Sequence, residues 1–120
     1  MVRALNKKHK KQVLFVVPIG KAVIALREKI IAGKAPGLKE QKDLFVDPIG
    51  HAAPPLMALN AYCHYAVIYR KSPVGLPVPA VLAKAKNATY PEELNPLLQE
   101  LAWRAVTQNP LSGVTAMAKK

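Results

Sequence analysis

The stretch Val13-Leu14-Phe15-Val16-Val17, closed by Pro18, decides the fold that the sequence predicts. It is a continuous apolar run rich in β-branched residues, which is typical of a strand buried on both faces of a parallel sheet. Residues 21–32 follow with apolar positions at helical spacing, and Gly33 stands where a helix C-cap belongs. A buried strand leading into an amphipathic helix is a β–α unit, so the sequence predicts an α/β domain.

Three further helices are predicted beyond this unit. Residues 56–69 are apolar nearly all round, which indicates a largely buried helix, and residues 80–85 can form a short one. The last helix is predicted to end near Gln108. It begins either at a capping box opened by Thr89 or, because Pro96 suits a first turn, with Asn95 as its N-cap.

Length and charge limit the range of functions. The chain has 120 residues, of which 51% are hydrophobic, so it can bury the core of one domain. Its net charge is +11, but residues 1–42 hold eleven basic and two acidic residues and so carry +9 of it. We expect a basic N-terminal arm over 1–12, a folded part over 13–110 and a loose tail over 111–120.

The basic excess favours one alternative function. Lys7, Lys8, Lys10 and Lys11 form a cluster that can bind the phosphates of nucleic acid through counterion release. No aromatic residues interleave with these lysines, however, and base stacking normally needs them. A solvated basic surface is therefore the competing interpretation.

The segment DLFVDPIGH (residues 43–51) carries the residues best suited to chemistry. Asp47 and His51 are four positions apart, so they can meet if the intervening residues fold as a turn. A carboxylate that orients an imidazole makes up two members of a nucleophile–His–Asp relay. In the competing interpretation, Asp47 caps a helix that begins at Pro48 and His51 merely lies nearby.

This segment, the apolar helix with Tyr62 and Tyr65, and KSPVGLP (residues 71–77) together resemble the C-terminal block of the SGNH (GDSL-type) hydrolases. The resemblance implies a partial flavodoxin-like three-layer α/β/α fold and the hydrolysis of esters, such as acyl or acetyl groups on carbohydrates. It also implies that Asp47 is the orienting acid and that His51 is the general base.

The sequence departs from that family in two ways. Its spacing is Asp-x-x-x-His in place of Asp-x-x-His, and the Gly-Asp-Ser nucleophile block and the oxyanion-hole blocks are absent. Its only serines, Ser72 and Ser112, do not follow a predicted strand. We therefore expect the C-terminal part of a larger domain, inactive on its own. A subunit that completes another chain's sheet through its exposed strand is a further alternative.

Other site types find little support. Cys63 and His64 are adjacent, so they cannot share a helix face, and no second pair exists to complete a zinc site. We expect no cofactor and no metal. The apolar run at 13–17 is too short for a signal peptide or a membrane span, and nothing in the sequence indicates a compartment, although members of the resembled family are often exported.

Overall fold

The computed structural model describes residues 1–85 and 89–115, and the regular structure in these ranges is helical. One single-turn 3-10 helix, Gln41–Leu44, accompanies five α-helices. The α-helices are α1 (Val2–Lys8), α2 (Ile19–Ile31), α3 (Pro54–Tyr69), α4 (Ala80–Ala83) and α5 (Leu94–Gln108). Over the described ranges no sheet forms, and one isolated antiparallel bridge joins Phe45 to Ala52. The predicted α/β class, with its partial flavodoxin-like three-layer architecture, is therefore wrong.

The run at residues 13–17 is an irregular segment and not a strand. The Asn6 side chain provides hydrogen bonds for the backbone of this segment. The side-chain oxygen of Asn6 accepts the N–H groups of Val13 and Leu14 at 2.7 and 2.9 Å. Val16 donates its N–H to the carbonyl of Leu111 at 2.8 Å. A side chain and a distant carbonyl thus take the place of the neighbouring strands that a sheet would need.

Helix α3 lies at the centre of the molecule and packs mainly against α5 and α2. Its first residues are Pro54 and Pro55, which suit a helix start because the N–H groups there have no partner inside the helix. The side chains that α2, α3 and α5 bury completely include Leu26, Leu59, Leu98 and Val106. The hydrophobic core is therefore an interface of three helices.

Gly33 ends α2 in the way that the sequence predicts. Its φ of +72° is left-handed, its N–H donates to the Ile30 carbonyl, and the N–H of Lys34 donates to the Lys29 carbonyl. These two bonds form a Schellman motif, which satisfies carbonyls that the helix end would leave unpaired. Further along the chain, α5 begins at Leu94 with Glu93 as its N-cap, so the predicted start at Thr89 and the alternative N-cap at Asn95 are both wrong.

The two ends of the described chain are in contact. Gln12 donates its side-chain amide to the Leu111 carbonyl at 2.9 Å, and the ring of Phe15 lies close to Gly113. Ser112 is completely buried, and its hydroxyl donates to the Val106 carbonyl at 2.7 Å. Segments at the two ends thus pack on one another.

Candidate acid–base site

A short closed loop carries Asp47 and His51. The Phe45–Ala52 bridge joins its two sides, and the Val46 N–H donates to the His51 carbonyl at 2.8 Å. The residues between these two sides form a tight turn. Pro48 and Gly50 both suit a turn, and Gly50 has a φ of +96°. No helix begins at Asp47, so the capping interpretation of this residue is wrong.

The Asp47 carboxylate holds the loop and the imidazole together. One oxygen accepts the backbone N–H groups of Ile49 and His51 at 3.1 and 3.0 Å. The other oxygen is in hydrogen-bond contact with Nδ1 of His51. The two side chains are therefore in contact, as the four-residue spacing allows when the intervening residues form a turn. The His51 N–H, then its ring, hold the pKa of the Asp47 carboxyl below its ordinary value of 3.8.

This contact determines which ring nitrogen of His51 is free to act as a base. An ionised carboxylate can only accept hydrogen bonds, so Nδ1 carries the proton that is shared with Asp47. Nε2 is then the nitrogen with the available lone pair. The His51 side chain is 69% exposed and that of Asp47 is 29% exposed, so the imidazole lies at the surface.

Neither the two serines nor the cysteine is placed to serve as a nucleophile for this base. Ser112 is buried in hydrogen bonds to backbone groups, and the Ser72 hydroxyl accepts the N–H of Val74 at 3.2 Å. Cys63 is completely buried, which raises the pKa of its thiol to about 12 and keeps it protonated. Within the described part of the chain, the hydrogen bonds of the His51 ring go to Asp47 alone.

An open groove of about 910 Å³ borders the loop. Asp47 lies on its wall, together with apolar side chains of the same loop and of α3, among them Phe45, Val46 and Met57. The groove was not predicted, because its shape depends on how residues 37–57 fold back on themselves and on the contact of this segment with Ala85 and Tyr90.

A second polar cluster lies in the core, and no pattern in the sequence indicates it. The Tyr62 hydroxyl donates to the side-chain oxygen of Asn95 at 2.6 Å and accepts the amide of Gln99 at 3.2 Å. Gln99 also donates to the Leu76 carbonyl and accepts the N–H of Gly75. Burial raises the pKa of Tyr62, so its hydroxyl stays protonated and serves to join helices.

Across residues 1–85 and 89–115, no group of three His, Cys, Asp or Glu side chains is arranged to hold a metal ion. His64 is exposed, and its Nδ1 is 3.0 Å from the Asn60 carbonyl in the preceding turn. In the same ranges, none of the helices combines the length and the apolar character that crossing a bilayer requires.

Comparison with protein-family models, with curated proteins and with solved structures gives no match to this chain. The resemblance to the SGNH hydrolases therefore rests on the quoted residues alone.

Proposed function

We propose that this chain supplies the acid–base half of a site that hydrolyses esters, with Asp47 as the orienting acid and His51 as the general base. The observation that carries the proposal is that the Asp47 carboxylate makes hydrogen bonds to both the backbone N–H and the ring of His51. A carboxylate used in this way fixes the tautomer and the direction of an imidazole, as catalysis by a histidine base requires.

The chemistry follows from the ring nitrogens. Nε2 of His51 takes the proton of a hydroxyl while the hydroxyl oxygen attacks the ester carbonyl, and a tetrahedral intermediate forms. The imidazolium is stabilised by Asp47 and then returns the proton to the leaving alcohol, so the acyl group stays on the nucleophile until water removes it. The nucleophile and the donors to the oxyanion come from outside the described residues.

The resemblance to ester hydrolases supports acyl or acetyl esters as the substrate class, with carbohydrate as one source of the alcohol. The helical fold means that the proposal does not depend on a flavodoxin-like sheet. It depends on the local loop, which could act on a nucleophile that another polypeptide presents.

The test uses p-nitrophenyl acetate, an activated ester that a surface imidazole can attack without a protein nucleophile. The full chain is expected to release p-nitrophenol faster than His51→Ala, with Asp47→Asn slower than the wild type. General-base catalysis contributes about 10²–10⁴-fold in a complete site, so we expect a smaller effect here. His64→Ala is the matched control, because it removes another exposed histidine outside the loop.

Equal rates for the wild type and His51→Ala would show that Asp47 does not make the His51 imidazole reactive towards an ester, and would overturn the proposal. A fluorophosphonate probe gives an independent check on the missing nucleophile. Covalent labelling of Ser72 or Ser112 would show that this chain contains its own nucleophile and would overturn the proposed division of the site.

A further inference from the structure

Cationic side chains gather where the N-terminal segment meets the end of α3. The guanidinium carbon of Arg70 lies 5.3 Å from the centroid of the Phe15 ring. Asn6 holds α1 against the segment that contains Phe15, through its bonds to residues 13 and 14. These contacts link α1, the segment that follows it and the end of α3, and we call the exposed cationic and aromatic residues of these segments the basic patch. Its members are Lys7, Lys8, Lys10, Lys11, Phe15, Tyr69 and Arg70.

Two cations of the basic patch have an unusual backbone conformation. Lys10 and Arg70 have φ values of +58° and +55°, and they are the only non-glycine residues with positive φ in the described part of the chain. At the end of α2 a glycine, Gly33, takes the equivalent position. Residues with a Cβ rarely adopt this conformation, and where they do, they cluster at functional sites.

The helix dipole does not explain this choice of residues. A dipole favours a cation in the last turn of a helix, but that cation need not be the left-handed residue. Helix α2 separates the two roles, because Lys29 lies in its last turn and Gly33 takes the left-handed position. Lys10 and Arg70 therefore place a positive charge at backbone positions whose left-handed conformation glycine would adopt with less strain.

The charges of the basic patch are available to a ligand. Among the residues that the structure describes, Lys42 is the only lysine or arginine within salt-bridge distance of a carboxylate. Lys7, Lys8, Lys10 and Lys11 are all exposed. The linked segments also expose aromatic surface, since Phe15 is 40% exposed and Tyr69, next to Arg70, is 62% exposed. The structure thus supplies the aromatic groups that were missing between the lysines in the sequence.

We propose that the basic patch binds single-stranded nucleic acid. The cations contact successive phosphates, and unstacked bases lie against the Tyr69 ring and the part of Phe15 that Arg70 and Gly113 leave exposed. A duplex keeps its bases stacked inside, and an anionic membrane offers no bases at all, so neither uses the aromatic part of this surface. The proposal is independent of ester hydrolysis and concerns a different part of the molecule.

The test measures binding of the full chain to a fluorescein-labelled 20-nucleotide oligothymidylate by fluorescence anisotropy. Five cations on the phosphates give a slope of log affinity against log salt of about −3.5, or roughly a 100-fold loss between 50 and 200 mM NaCl. A duplex of the same length is expected to bind more weakly. An absence of binding at 50 mM NaCl would overturn the proposal.

The double variant Lys10→Gly/Arg70→Gly separates function from folding, because glycine suits both backbone positions. The relief of two left-handed backbone positions offsets the lost contact of Arg70 with the Phe15 ring, so we expect a Tm close to that of the wild type and an affinity for the oligothymidylate lowered about tenfold or more. Lys34→Gln/Lys84→Gln is the control, since it removes two charges at exposed positions outside the basic patch. An equal loss of affinity in the control would mean that net charge alone attracts the oligonucleotide.

The aromatic contribution is tested with Tyr69→Ser and an abasic oligomer of the same length. Tyr69→Ser is expected to weaken binding of the oligothymidylate and to leave binding of the abasic oligomer unchanged. Equal affinities of the wild type for the two oligomers would contradict base stacking. Binding to phosphatidylserine vesicles without binding to the oligothymidylate would assign the patch to a membrane surface and overturn the proposal.

Discussion

Asp47 is the side chain on which the loop at residues 46–51 depends. Its carboxylate accepts hydrogen bonds from two backbone N–H groups and contacts the His51 ring. These bonds need the ionised form, which is why the pKa of Asp47 lies below 3.8. A group whose pKa is lowered on folding stabilises the native state above its unfolded pKa, and this contribution is lost as the pH falls through the folded value.

Asp47→Asn is therefore expected to have a lower Tm than the wild type at pH 7. The difference should shrink as the pH falls below 3.8 and Asp47 itself becomes protonated. Thermal unfolding followed by circular dichroism across pH 2–7 measures this dependence. A difference in Tm that stays constant over the whole pH range would show that the carboxylate charge is not what stabilises the loop.

The Tyr62 hydroxyl joins α3 to α5 through hydrogen bonds, and its removal tests this structural role. Tyr62→Phe removes the hydroxyl and leaves the buried Asn95 oxygen without its donor, and an unsatisfied buried acceptor costs about 1–3 kcal/mol. Urea unfolding measures this change in the free energy of unfolding. Tyr65→Phe is the matched control, because Tyr65 is only half-buried, with its ring against Tyr69. An equal effect of both variants would contradict the importance of the buried cluster.

At the scale of elements, the ends of α2 provide a matched pair of glycines. A Cβ on Gly20 or Gly33 would meet no atom within 4 Å, so space does not distinguish the two positions. Gly33 has a φ of +72°, whereas Gly20 lies in the first turn of α2 without a positive φ. A substitution should therefore be destabilising at Gly33, because of its backbone conformation, and not at Gly20.

Gly33→Ala is expected to destabilise the protein by about 1 kcal/mol, since alanine is strained at positive φ. Gly20→Ala is expected to be neutral or stabilising by about 0.4–1 kcal/mol, because it restricts the unfolded chain. Chemical denaturation of both variants measures the two effects. The same sign for both would show that the left-handed turn after α2 is not required.

Helices α2 and α3 could be predicted from the sequence because their signals are local, whereas α1 lies in the segment that was expected to be an arm. The 3.6-residue spacing in α2, Gly33 at its end and the prolines that open α3 all act within a few residues. The contact of Asp47 with His51 was accessible for the same reason. The role of residues 13–17 was not, because an apolar β-branched run is equally compatible with a strand and with an irregular segment that packs on helices. Its actual partners, Asn6 and Leu111, leave no signal near the run.

At the scale of the whole molecule, the two ends of the described chain are held together by close packing. Gly113 has a φ of +78°, and a Cβ there would lie 2.6 Å from the Phe15 ring. Gly113→Ala is therefore expected to destabilise the protein by about 1–3 kcal/mol through overpacking. Urea unfolding of this variant tests the contact between the ends. Combined with Phe15→Ala, the loss should be less than additive, and strict additivity would show that the two residues do not interact.

The contact of Gln12 with Leu111 joins residues 99 positions apart. Closing so long a loop costs chain entropy before any bond rewards it, so this contact is expected to form after the helices have assembled. During synthesis on a ribosome, residues 12–16 must wait until Leu111 has emerged before their partner is present. The most apolar run of the N-terminal third is thus exposed for the longest time, and a nascent chain would need protection there from premature association.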